Sequence, residues 1–88
     1  VKTPIYTTRF RREFARMMER GKDEEKLKTV AAKLLAGETL EPRHEDHPLK
    51  GSFVGWRDCH IEPDWILVYR RTRDEVIFGR TGTHSDLF

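Results

Sequence analysis

Residues 56–80, WRDCHIEPDWILVYRRTRDEVIFGR, decide the fold. Three runs rich in β-branched and aromatic residues, Trp56–Ile61, Trp65–Tyr69 and Glu75–Arg80, are separated by the turn-forming triplets Glu62-Pro63-Asp64 and Thr72-Arg73-Asp74. They read as three consecutive strands of an antiparallel meander. In a meander the end of the first strand, the start of the second and the end of the third lie at one edge of the sheet. His60 ends the first, Asp64 and Trp65 open the second, and Arg80-Thr81-Gly82-Thr83-His84 follows the third. His60, Asp64 and His84 are therefore expected at one rim.

Working outward, the N-terminal half is helical in period. Ile5 and Tyr6 suit a short strand. Thr7 or Thr8 then offers an N-cap to a segment with Phe10, Phe14, Met17 and Met18 at helical spacing, ended by Gly21. Asp23 caps a second helix whose apolar stripe is Leu27, Val30, Ala31, Leu34 and Leu35, and Gly37 stops it. From Glu38 to Gly55 the periodicity vanishes, and Pro42, Pro48, Gly51 and Gly55 punctuate a long polar loop. The expectation is one α+β domain over residues 1–88, with an antiparallel helix pair covering one face of a small antiparallel sheet.

Composition narrows the function. At 88 residues the chain supports one modest core, so any site is open and shallow. The single cysteine, Cys59, excludes an intrachain disulfide and a Cys-based zinc site, and suits a reducing compartment. Between Lys2 and Arg9 there is no apolar stretch, and no segment reaches transmembrane length, so a cytoplasmic protein without a membrane partner is expected. The formal charge is only +2, but residues 1–22 hold seven Lys or Arg against Glu13 and Glu19. Arg9, Arg12, Arg16 and Arg20 fall in one stripe of the first helix, either a solvated face or a grip for phosphates.

His47, between Asp46 and Pro48 in the long loop, is placed to fold over the rim, making a cluster of His47, His60, Asp64 and His84. Imidazoles titrate near neutrality and serve as donor or acceptor. Cleavage of RNA needs a base for the 2'-hydroxyl, an acid for the leaving 5' oxygen and positive charge on the phosphate, and this cluster supplies all three, with Arg80 as a further phosphate partner. Trp65 or Phe88 would stack on an unpaired base, although Trp65 shares a sheet face with Leu67 and Tyr69 and suits a core position equally. His44 is assigned no role, and Cys59, alternating with His60, is expected in the opposite, buried face. The four cluster residues are suitable zinc ligands, but their spacing matches no compact metal motif, so no metal or other cofactor is expected.

The segments Asp46-His47-Pro48-Leu49, Gly55-Trp56-Arg57-Asp58, His60-Ile61-Glu62-Pro63-Asp64-Trp65-Ile66-Leu67 and Arg80-Thr81-Gly82-Thr83-His84-Ser85-Asp86-Leu87-Phe88 resemble the YafQ branch of the RelE superfamily of toxins. The resemblance implies a RelE-like microbial RNase fold and a ribosome-dependent mRNA endonuclease that cuts the codon in the A site of the 70S ribosome, without a metal, leaving a 2',3'-cyclic phosphate or the derived 3'-phosphate. It implies functional positions at His47, His60, Asp64, His84 and Phe88, with Trp65 beside them. It also implies a cognate antitoxin whose other end is a ribbon-helix-helix DNA-binding module. Asp64 or His47 is the expected base, His84 the acid, and His60 the residue that orients or stabilises charge. One alternative shares the fold, a non-enzymatic ParE-like toxin that binds DNA gyrase; another is a small nucleic-acid-binding regulator using the arginine stripe.

Overall fold

A computed structural model describes residues 1–88. The elements are β1 (Thr3–Tyr6), α1 (Thr8–Glu19), α2 (Glu24–Leu35), β2 (His47–Pro48), β3 (Arg57–Glu62), β4 (Trp65–Arg71), β5 (Glu75–Gly82) and α3 (His84–Leu87). The Thr7 hydroxyl accepts from the Phe10 N–H and the Asp23 carboxylate from the Glu25 N–H, so both long helices start at the expected caps.

The meander β3-β4-β5 is present and antiparallel, within a five-stranded sheet of order β1-β5-β4-β3-β2. The sheet is mixed rather than wholly antiparallel, because β1 pairs in parallel with β5. Nor does the helix pair pack chiefly on itself: α1 lies on β5, and α2 on β3 and β5. The segment expected to be structureless holds two single-turn 3-10 helices, Pro42–His44 and Gly51–Phe53, and the two-residue strand β2.

Strand alternation sorts the sheet into two faces. Cys59 and Ile61, then Trp65, Leu67 and Tyr69, then Val76 and Phe78 meet Phe10, Met17, Leu27, Val30 and Leu34 in the main core under the helices. Ile66 and Val68 point the other way, into a small cluster with Leu87 that Leu49 and Trp56 border. Neither long helix covers this second, open face, although Ile66, Val68 and Asp58 are buried within it. Cross-strand register arranges it in rows: His47, Asp58, Val68 and Arg80 lie abreast, as do His60, Ile66 and Gly82.

Two glycines of β5 let other segments sit on that face. A Cβ at Gly79 would lie 2.6 Å from Cζ3 of Trp56, so only a bare backbone admits the indole. A Cβ at Gly82 would lie 2.9 Å from Cβ of Asp86, so α3 rests directly on the strand end.

Candidate active site

Asp58 and His60 alternate along β3 with the inward-facing Cys59 and Ile61, and so emerge together on the open face. His47 on β2 is the cross-strand neighbour of Asp58, with Nε2 2.8 Å from Asp58 Oδ1. At the other side of the rim, the β3–β4 turn supplies Asp64 and α3 supplies His84. Nδ1 of His84 donates to Asp64 Oδ1 at 2.6 Å, and the His84 backbone N–H donates to the same oxygen at 3.0 Å. Because the carboxylate only accepts, the proton sits on Nδ1 and Nε2 of His84 has no protein partner. The ring of His60 meets that of His84 edge to face, 5.3 Å between centroids. The structure thus brings His60, Asp64 and His84 together, and sets His47 on the same face through Asp58.

Asp58 is the residue that the sequence reading missed. It is 5% exposed, and its Oδ1 lies close to His47 but out of line for a hydrogen bond. Burial pushes its carboxyl above the usual carboxylate range, against the opposing pull of His47, His60 and His84. Its signal was the i, i+2 spacing from His60, which puts both on one face. Asp64 behaves oppositely: the backbone N–H of His84, and then its imidazole, hold that carboxyl below the usual range. Nδ1 of His60 is also buried without a hydrogen bond, although the Glu45 carboxylate lies 3.2 Å away.

The mounting of these groups is local. His44, given no role above, is buried and donates from Nδ1 to the His60 carbonyl at 2.7 Å. Asp46 accepts from Arg57 Nε at 3.2 Å and from the Tyr69 hydroxyl at 2.5 Å. Together they pin the loop on both sides of Glu45, immediately before His47. On the far side, Thr83 and Asp86 form a capping box that starts α3 at His84, and Asp86 takes a 2.6 Å ion pair from Arg20.

Two of the expected RNA-binding side chains are otherwise engaged. Trp65 is fully buried on the helix side of the sheet, its Nε1 donating to Thr81 Oγ1 at 2.9 Å, so it presents no face to a base. Arg80 is held by Glu13, Nη2 to Oε2 at 2.6 Å, and is not a free cation for a phosphate. Glu13 stands within the arginine stripe, and Arg20 of that stripe is spent on Asp86. Arg9, Arg12 and Arg16 are exposed and make no ion pair within the chain. Phe88 is 59% exposed, its ring edge-on to Phe53 at 5.9 Å. No three His, Cys, Asp or Glu side chains are arranged as a metal-ligand set, and no helix is long and apolar enough to cross a membrane.

Comparison with known proteins bears on this site. Residues 2–88 match the family model described as "Bacterial toxin of type II toxin-antitoxin system, YafQ". The chain is 42% identical to the mRNA interferase toxin YafQ of Escherichia coli strain K12 over 84 residues, covering 94% of this chain and 91% of that relative. Among solved structures it is similar to a copper-bound mutant toxin from Helicobacter pylori, with a TM-score of 0.96 and 38% identity, both chains being covered in full. It is also similar to a chain of the Escherichia coli DinJ-YafQ toxin-antitoxin complex, with a TM-score of 0.92 and 40% identity over 99% of this chain and 97% of that one.

Proposed function

The chain belongs to the YafQ family of type II toxin-antitoxin toxins, and from that premise we propose that it is an endoribonuclease that cuts mRNA in the A site of the 70S ribosome by metal-independent acid–base catalysis. The observation that carries the reading is His84, oriented by Asp64 through Nδ1, with Nε2 unpartnered and the His60 ring against it. An imidazole held from behind by a carboxylate is prepared to move a proton at its free nitrogen.

In this reaction the 2'-oxygen attacks the adjacent phosphorus. The O2'–P bond forms as P–O5' breaks, giving a 2',3'-cyclic phosphate and a free 5'-hydroxyl. His84 as imidazolium gives its Nε2 proton to the departing 5' oxygen. Asp64 already accepts two hydrogen bonds and titrates low, which makes it a poor proton acceptor and suits it to orienting His84. The proton of the 2'-hydroxyl then goes to His47, whose Nε2 lies 2.8 Å from the buried Asp58 carboxyl, so that the charge His47 gains is balanced beside it. His60, beside His84, stabilises charge on the phosphate. Acid, base and positive charge thus come from side chains, and no step needs a cation.

Phe88 stacks on an unpaired base, and Arg9, Arg12 and Arg16 hold RNA phosphates, while Trp65 and Arg80 contribute through packing and pairing. A cognate antitoxin with a ribbon-helix-helix end is the expected partner, as the DinJ-YafQ complex of a relative suggests. The relatives' names favour a nuclease over a gyrase-binding toxin. The test is cleavage of a defined mRNA, with and without programmed ribosomes, in EDTA, by wild type and His84→Ala. Ribosome-dependent cutting that survives EDTA and is lost in the variant is expected; cutting by both proteins alike removes His84 as the acid, and cutting by neither removes the nuclease reading.

A further inference from the structure

Beside the catalytic rim, on the open face, lies a cleft of about 360 Å³. Val68 is part of its lining, and Thr7, Arg9, Phe53, Trp56 and Arg80 are its principal walls. In the register of the sheet Val68 stands between Asp58 on one side and Arg80 on the other, so the cleft is one strand, about 5 Å, from the row of catalytic groups. Building on the nuclease reading, we propose that this cleft is a nucleobase subsite, which takes an unpaired base flanking the scissile phosphate and sets the enzyme's base preference there.

The walls suit a flat heteroaromatic ring. Trp56 and Phe53 are both partly exposed, and aromatic side chains receive any base through its π face. The absence of a side chain at Gly79 lets the six-membered ring of the indole close on β5. Charge is distributed to match a nucleotide. Arg80 is neutralised by Glu13, so the interior holds no loose cation that would draw a phosphate inward, whereas Arg9 is exposed and unpaired and is available to the backbone outside. The hydroxyl of Thr7, which donates to the Gly79 carbonyl at 2.9 Å and accepts from the Phe10 N–H, keeps one lone pair to accept from the edge of a base. Phe53 also meets Phe88, the residue just beyond α3 and His84, edge to face at 5.9 Å, which links a wall of the cleft to the segment that carries His84. A paired base has no route into such a slot, which makes the subsite selective for single-stranded RNA.

A larger cleft, about 480 Å³ between α2 and β3, is a weaker candidate for RNA because Lys26, Lys33 and Arg43 in its walls are already paired with Glu62 and Glu41.

The experiment is cleavage on programmed ribosomes of an mRNA library randomised at the nucleotides around the cut, sequenced for wild type, Phe53→Ala and Arg9→Ala, with thermal unfolding to verify that each variant is folded. Loss of one stacking wall predicts that cutting slows by between about fivefold and a hundredfold in Phe53→Ala, and that the wild-type preference at one flanking position, which rests on stacking strength, flattens. In Arg9→Ala the expected result is slower cutting of every sequence with the preference retained. A wild type that cuts with no flanking preference, or with one that Phe53→Ala leaves intact, overturns the subsite while leaving the nuclease reading standing; a wild type that does not cut overturns both.

Discussion

Replacing Asp58 by Asn keeps the outline of the side chain and removes its charge. On the reading above, ribosome-dependent cleavage falls by up to about 10²-fold, the usual contribution of a proton-transfer group such as the His47 that Asp58 supports. Stability moves the other way. Burial raises the Asp58 carboxyl above its unfolded value, so its contribution to folding is full below the unfolded pKa and is lost as pH rises through the folded one. At pH 7 the variant should therefore be more stable than wild type, and the advantage should fade on acidification. Urea denaturation at several pH values checks the sign. Asp64 follows the opposite course: its lowered carboxyl contributes above the unfolded pKa and loses that contribution as pH falls. A second substitution isolates the Trp65 seat. The Thr81 hydroxyl accepts from Trp65 Nε1 at 2.9 Å and donates to the Ile66 carbonyl at 2.8 Å, all three groups buried. Thr81→Val leaves the indole N–H unpaired and should cost about 1–3 kcal/mol, read as a lowered Tm.

Among the elements, α3 is the one on which the site depends most. Its four residues are too few to hold a helix by themselves. They are held by the capping box, by Arg20 and by direct seating on Gly82. Gly82→Ala places a methyl against Asp86 and should push α3, and with it His84, off the strand. The expected result is a loss of cleavage of about tenfold or more with a fall in stability of about 1–3 kcal/mol, measured by single-turnover cleavage alongside thermal unfolding. The elements also show what a sequence can carry. The three meander strands and both long helices were legible because each bears its own period and caps, and the gathering of His60, Asp64 and His84 followed from strand direction alone. α3 is barely longer than one helical turn, too short to show a period, although Thr83-x-x-Asp86 carries the pattern of a capping box. The parallel pairing of β1 with β5 depends on where both helices carry the chain, which no local pattern encodes. Asp58 was hidden because nothing local shows that a carboxylate is covered, and Trp65 was ambiguous because a strand's period gives the face but not which face is roofed.

At the scale of the molecule, net charge understates what is available to a polyanion. The ion pairs Glu13 with Arg80 and Asp86 with Arg20 withdraw two arginines from the surface, and leave Arg9, Arg12 and Arg16 exposed on the helix that borders β5 and the rim. Paired reversal, Arg12→Glu with Arg16→Glu, should lower kcat/KM on ribosomes and flatten its dependence on salt, while stability stays within about 0.5 kcal/mol of wild type, as for surface changes generally. Titration of cleavage against KCl distinguishes this from damage to the proposed catalytic groups, which would lower activity at all salt concentrations alike.

The lone thiol gives this fold an internal clock. Cys59 is wholly buried between Asp58 and His60, and burial pushes its thiol up, away from the reactive thiolate. An alkylating reagent reaches the sulfur only after β3 has parted from the helices above it. Its rate of labelling in the native protein therefore reports how often the strand that carries Asp58 and His60 opens. Protection far greater than that of a free cysteine is expected, and a bound antitoxin that clamps β3 would slow the clock further.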